Sequence, residues 1–342
     1  MFKNKLILGF AGLMSVLATT TYAEPKIEIH GDADADVWYD ATAKKAYNSH
    51  DINLTVTGQI TENISATIGV TSIAGVPPAD MISNADRWGT MDFDGAWIDW
   101  NTSVEGLSFS IGDLVYTFGA FDYYFYKNKG MITSEIFPRG AQAVYDMGTF
   151  SVTAIGGAKD DEAGSLIAGG ILGYEPSEAL SLNAILISTS ADSNTDLNGG
   201  LSALISAGPA SIKADFAYIT QGDSTGMNLL IEPSAGFGDF SVAASFFMKL
   251  TDESISQDIT EDMFIYLEPG YSFSDGFAFG LPLEYHDADS DVEKDESIWV
   301  VPTAYVYPAE NLEIWLWGGA YVPTAENSET TYALGSEVIF AF

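Results

Sequence analysis

The chain of 342 residues contains no cysteine, so its fold rests on no disulfide and on no thiolate metal site. Cations are scarce as well. Thirteen lysines and arginines stand against 48 aspartates and glutamates, a formal charge of -35. That balance excludes a nucleic-acid binder, which needs a basic footprint for the phosphate backbone. His30, His50 and His286 are the only histidines, the side chains whose ordinary titration lies near neutrality. No nucleophile elbow, zinc motif or phosphate loop accompanies them. The pair His286–Asp287 stands beside an acidic segment and reads as structural. The expectation is a chain that is not an enzyme and carries neither cofactor nor metal.

Long apolar runs are missing too. After residue 23 no stretch approaches the roughly 20 residues of a membrane helix. The one apolar run, Leu6 to Leu17, is shorter. Lys3 and Lys5 precede it and Thr21-Tyr22-Ala23 follows, the pattern of an export signal cleaved before Glu24. Residues 1–23 are therefore expected to be a signal peptide and 24–342 the mature chain; a retained amphipathic anchor is the alternative. Linkers and fixed-period repeats are also lacking, which argues against a two-domain sandwich and against a solenoid.

What the sequence does have is apolar alternation. Hydrophobic residues make up 47% and aromatics 13%, far too many for a disordered acidic chain. From about residue 27 onward the period is two, and helical periodicity is nearly absent. Ile52, Leu54, Val56 and Ile60 share one face, and Asn53, Thr55, Thr57 and Gln59 the other. Thr61-Glu62-Asn63 turns the chain, and Ile64, Ala66, Ile68 and Val70 resume the apolar face. The same grammar recurs around Gly148, Gly208-Pro209, Gly238-Asp239, Ser274-Asp275-Gly276 and Pro308 to Asn311. Short turns alternate with longer polar connections such as 41–50, 73–91 and 288–296. This predicts an all-β fold: a transmembrane, antiparallel, up-and-down β-barrel of about 16–18 strands, apolar outside and polar within. Tyr39, Trp88, Tyr145, Tyr174, Tyr271, Tyr285, Tyr307, Tyr321 and Tyr332 near strand ends are expected to form interfacial girdles.

Acidic residues are the strongest site signal. Asp32, Asp34 and Asp36 alternate along the first strand, about 6–7 Å apart on one face. Charges facing mid-bilayer cost a few kcal/mol each, so these carboxylates are expected inside. The same parity assigns Asp99, Asp146, Asp215, Glu284, Glu313 and Glu337 to the lumen, with Lys213 as the main basic exception. The run Asp287, Asp289, Asp291, Glu293, Asp295 and Glu296 lacks the glycine and spacing of a calcium loop and reads as a solvated external loop.

The last strand is the most specific feature. Tyr332, Leu334, Val338, Phe340 and the terminal Phe342 occupy alternate positions. This resembles the final strand of Gram-negative outer-membrane proteins, whose last aromatic residue is read by the barrel assembly machinery. In strand and turn pattern the mature chain resembles the general porins; no subfamily is identified. The resemblance implies a channel in the cell outer membrane, among lipid and lipopolysaccharide, passing small hydrophilic solutes by diffusion, and a possible homotrimer; the acidic lumen adds a preference for cations. In general porins the third long loop folds inward and narrows the channel, and an FG pair is common there. Residues 116–140, with Phe118-Gly119, are similar to that loop. The resemblance implies constriction residues Asp122, Tyr123, Tyr124, Tyr126, Lys127, Lys129, Glu135 and Arg139; an external loop is the alternative. The arginine cluster of general porins is absent, since Arg87 and Arg139 are the only arginines. A surface-binding or adhesive barrel and a sugar-specific channel remain the competing functions.

Overall fold

The computed structural model describes residues 26–75, 90–123, 132–133, 136–159, 165–191, 194–251, 261–289, 295–325 and 328–342. The expected signal peptide 1–23 and Tyr124, Tyr126, Lys127, Lys129, Glu135 and Trp88 lie outside the described residues. The strands are β1 (Ile27–Asp40), β2 (Lys45–Thr61), β3 (Ile64–Gly75), β4 (Thr90–Asn101), β5 (Leu107–Asp113), β6 (Pro138–Asp146), β7 (Phe150–Lys159), β8 (Leu166–Ser177), β9 (Leu180–Ala191) and β10 (Asn194–Ala207). They continue as β11 (Ala210–Gln221), β12 (Ser224–Phe237), β13 (Phe240–Lys249), β14 (Met263–Ser274), β15 (Phe277–Gly280), β16 (Leu283–Asp287), β17 (Glu296–Val300), β18 (Thr303–Ala309), β19 (Leu312–Pro323) and β20 (Thr331–Ala341).

Every pairing is antiparallel, and β1 to β14 pair in chain order as successive hairpins. β15 and β16 are two halves of one stave, since both pair with β14 and only Leu281-Pro282 separates them. β17 and β18 form the next stave, interrupted at Val301-Pro302. Proline has no N–H for the ladder, so the interruptions fall where its donor is missing. Neighbouring donors close the gaps: Leu281 N to Pro269 O at 3.0 Å, Val301 N to Pro282 O at 2.9 Å and Gly318 N to Pro302 O at 3.2 Å. With those halves joined, the twenty segments make an 18-strand barrel. β20 pairs with β19 and also with β1, from Asp32↔Ala341 to Asp40↔Ala333, which closes the sheet and leaves no edge among the described strands.

Residue parity sorts the two faces. In β1 the odd residues Ile27, Ile29, Val37 and Tyr39 are exposed on the outer wall, which places Asp32, Asp34 and Asp36 on the inner one. Aromatic residues ring the outer wall at the end that carries the short turns. Trp100 stacks with Phe109, and Phe150 packs on Tyr174, Phe240 on Tyr271, Phe273 on Phe277 and Phe340 on Phe342, with centroids 4.6–5.8 Å apart. This is an interfacial belt at one rim. Tyr321, expected in such a belt, instead faces inward and meets Trp299 at 4.5 Å, because it pairs with an inward position of β17. Tyr332, Leu334, Val338, Phe340 and Phe342 all face outward.

Buried apolar side chains lie inside the barrel in two clusters. One holds Leu114, Tyr116, Ile136, Ile155, Ile167, Ile185 and Ile187. The other gathers Phe121, Ile132, Ala217, Leu230, Phe247, Phe264, Tyr266 and Val301. Both combine wall residues with residues from the segment between β5 and β6.

Candidate functional site

The described residues between β5 and β6, among them Leu114, Tyr116, Phe121, Ile132 and Ile136, lie against the inside of the barrel. The two limbs of this segment pair first with each other. Tyr116 and Ile136 exchange backbone hydrogen bonds of 2.9 and 3.0 Å, and Ile132 N donates to Gly119 O at 2.9 Å. Gly119 has φ +69°, and a Cβ there would run into Ile132, so this crossing needs glycine. Tyr116, Leu114 and Ile136 then seat on the isoleucines of β7, β8 and β9. Farther along, the Phe121 ring meets Phe247 and Phe264 with centroids 5.6 and 5.8 Å apart. A segment that gives up water on the inner wall gains about 25 cal/mol per Å² of apolar surface, and these rings supply that area.

Polar contacts fix the register. Tyr116 Oη donates to Gln142 Oε1 at 2.7 Å, Gln142 Nε2 to Ser110 Oγ at 3.1 Å, and Ser110 Oγ to Asp99 Oδ1 at 2.6 Å. On the opposite wall Asn228 Nδ2 donates to Ile132 O at 2.5 Å. Glu232 is the main anchor. Its buried carboxylate accepts Asp122 N at 3.0 Å, Tyr123 N at 3.3 Å and Ser245 Oγ at 2.6 Å. Lys213 Nζ lies 3.0 Å from Glu232, 3.0 Å from Asp122 and 3.7 Å from Asp215, and it also donates to Ala120 O. One cation thus faces three carboxylates while holding the backbone of the segment against the wall. Such charges are tolerable under cover because they are paired with one another, and Lys213 and Glu232 are hydrogen-bonded as well.

The inner wall receives the other acids at different heights. Asp32 accepts Asn53 Nδ2 at 3.1 Å and Asp36 accepts Ser49 Oγ at 3.2 Å. Asp34, Asp36 and Glu337 bring carboxylate oxygens within 4.8 Å of one another, across β1 and β20. Asp146 lies at the rim and caps its turn, accepting Gly148 N at 2.7 Å. Glu313 accepts Trp315 Nε1 at 3.2 Å. Glu284 sits 3.1 Å from His286 Nε2, and Glu261 lies 3.2 Å from Nδ1 of the same ring.

Arg139 is a correction. It belongs to β6 rather than to the inward segment, and strand alternation turns it to the outer wall with Phe137, Ala141 and Tyr145. There its Nε donates to Asp113 Oδ1 at 2.6 Å, with the arginine side chain 62% exposed. It does not line the lumen, because β6 begins at Pro138 and the alternation starts there.

Glu232 and Glu268 are inward residues that the sequence reading passed over. Each precedes a proline, Pro233 or Pro269, that faces outward. Parity counted back from the turns at Gly238-Asp239 and Ser274-Asp275-Gly276 would have found both. Proline inside a strand pattern obscured the count.

No family model and no curated protein sequence matches the chain. Solved structures do. A BenF-like porin from Pseudomonas fluorescens aligns at TM-score 0.61 and 8% identity, over 93% of this chain and 98% of its own. OccK5 (OpdH) of Pseudomonas aeruginosa aligns at 0.57 and 12%, over 93% and 98%. OccAB4 of Acinetobacter baumannii aligns at 0.57 and 10%, over 94% and 99%. At such identities the likeness is one of fold, and it extends over nearly the full length of both partners. Closed β1–β20 seam, short turns at one rim and a segment folded within: the chain has the fold of the outer-membrane porins.

Proposed function

We propose that the chain is a porin of the cell outer membrane, conducting small hydrophilic solutes by passive diffusion and favouring cations. The observation that carries this reading is the segregation of charge in a closed barrel. Inward parity collects Asp32, Asp34, Asp36, Asp99, Asp215, Glu232, Glu268, Glu284, Glu313 and Glu337, and Lys213 among them is surrounded by acids. Carboxylates in a low-dielectric wall focus a negative potential and raise the local cation concentration. The inward segment from Tyr116 to Ile136 acts as the constriction, with Asp122 and Tyr123 at its described tip. The outward belt fits lipid and lipopolysaccharide, Phe342 serves as the signal for the barrel assembly machinery, residues 1–23 leave as a signal peptide, and the native assembly is a homotrimer. The chemistry is transport alone, without catalysis.

A sugar-specific channel is the second reading, favoured by inward aromatics such as Tyr123, Trp299, Trp315 and Trp317 that offer flat stacking faces. Purified protein in a planar bilayer tests both. Stepwise conductance with a cation-favouring reversal potential supports the porin. Saturable block by maltose supports the sugar channel. A silent membrane counts against both and favours a surface-binding barrel.

A further inference from the structure

A second constellation lies on the inner wall, apart from the anchor at Glu232. Glu268, half-buried on β14, accepts Tyr266 Oη at 2.5 Å and Tyr305 Oη at 2.6 Å, one phenol on each carboxylate oxygen. Its carboxylate occupies the space that a side chain at position 280 would need. A Cβ on Gly280 would stand 3.0 Å from Glu268 Cδ and 2.9 Å from Tyr305 Cε2. Trp315 meets Tyr305 edge-on, with centroids 5.3 Å apart and planes at 89°. The wall is irregular at this height, since Pro269 follows Glu268 and the next stave breaks at Leu281-Pro282. Irregularities of this kind re-aim side chains at sites. Together these groups line a cavity of about 510 Å³ that is bordered on the loop side by Asp122 and Tyr123. That volume lies within the range of small-molecule sites, roughly 300–1,000 Å³.

We infer that this cavity is a binding site for a small organic cation, a primary or quaternary ammonium group, taken up on its way through the pore. The transit part rests on the porin reading; the binding part rests on the cavity itself. Aromatic faces beside a carboxylate are the chemistry that recognises ammonium, through ring quadrupole and charge together. Among the described residues no lysine or arginine lines the cavity, and Lys213, which reaches Asp122, is already engaged by Glu232. An anion would meet the Glu268 charge with no described cation in the lining to offset it. Calcium or magnesium would need six or more oxygen ligands, whereas both Glu268 oxygens already accept a phenol. A neutral sugar could use the rings but would leave the carboxylate charge uncompensated.

The test uses the full barrel refolded in detergent and in planar bilayers, with choline as the probe and maltose and acetate as comparisons. Choline should block the potassium current saturably. Glu268→Gln should weaken that block about tenfold or more. Tyr305→Phe, which keeps the ring and loses one donor, should weaken it less, and Glu310→Gln in an exposed turn should leave it unchanged. Equal choline block in native protein and Glu268→Gln, or tighter block by maltose than by choline, overturns the inference. Calorimetric titration with choline separates the site from the porin reading. Choline heat that Glu268→Gln abolishes, in a protein that gives no conductance steps, sinks the porin and keeps the site. Absence of choline heat in the native protein sinks the site even where conductance is normal. If Glu268→Gln fails to show heat-modifiable migration, the same titration on Tyr305→Phe decides, with unchanged affinity counting against the site.

Discussion

Gly31 and Phe342 exchange two backbone hydrogen bonds of 2.9 Å, and the Phe342 ring lies over the position where Gly31 lacks a side chain. A Cβ on Gly31 would stand 2.9 Å from Phe342 Cζ and 3.1 Å from Cε2. The last residue of the chain thus extends the ladder between β20 and β1 by one pair beyond Asp32↔Ala341. Its ring stacks on Phe340 at 5.8 Å.

Deleting Phe342 removes two hydrogen bonds, worth about 1 kcal/mol each, and an aromatic pair worth roughly 0.5–1.5 kcal/mol. The deletion is expected to lower outer-membrane yield and to leave protein in the periplasm. Gly31→Leu should produce a defect from the other strand, because a Cβ there meets the backbone oxygen of Asn53 on β2 as well as the Phe342 ring. Fractionation and heat-modifiable migration report both, and normal yield in the deletion would separate the seam from assembly.

The inward segment depends on Lys213 and Glu232 for its register. Lys213→Met leaves the Glu232 carboxylate buried without its cation, and breaking such a pair costs about 3–5 kcal/mol. The variant should have a lower Tm and noisier open-channel current, because the tip at Asp122 and Tyr123 loses its tether. Shortening the segment within Asp122 to Glu135 should raise single-channel conductance. Equal conductance in short and native forms would place the current path away from this segment.

Selectivity should follow the acids of the first strand. Replacing Asp32, Asp34 and Asp36 together with Asn removes three charges from the inner wall without touching the backbone ladder. The reversal potential across a salt gradient is expected to move toward zero while the barrel stays folded. Screening over roughly 8–10 Å at 0.1–0.15 M salt predicts that native selectivity is strong in dilute salt and fades in concentrated salt. An anion-favouring potential for the native protein contradicts the assignment.

His286 stands between two buried carboxylates, Glu261 and Glu284, and packs against Phe264 at 5.1 Å and Trp299 at 6.0 Å. His286→Leu brings the two acids together without the imidazole between them. A loss of about 1–3 kcal/mol is expected for each buried carboxylate deprived of this hydrogen bond. Glu261 closes the connection between β13 and β14, so this connection should become the first site of limited proteolysis. An unchanged digestion pattern and Tm would show that the ring carries no structural load.

Much of this protein was legible without coordinates, for a physical reason. Side-chain parity in a strand is a local property, so Ile52, Leu54 and Val56 announced an outer face and Asp32, Asp34 and Asp36 an inner one. Turns and the alternating C-terminal residues followed from equally short windows, and these sufficed for a closed barrel of about 16–18 strands. The same logic failed where the start of a strand was misjudged, as at Arg139, where a strand-end tyrosine was assigned to the outer belt, as at Tyr321, or where proline interrupted the count, as at Glu232 and Glu268. Other relationships had no local signature at all. Asp122 meets Glu232 across 110 positions of sequence, and Phe121 finds Phe247 and Phe264 on the far wall. The sequence by itself determined the alternation of apolar and polar faces along the strands, because the pleat repeats every second residue. Tertiary structure alone decided which inward residues meet, because that depends on where β1 closes on β20 and on the height at which each stave enters the ring.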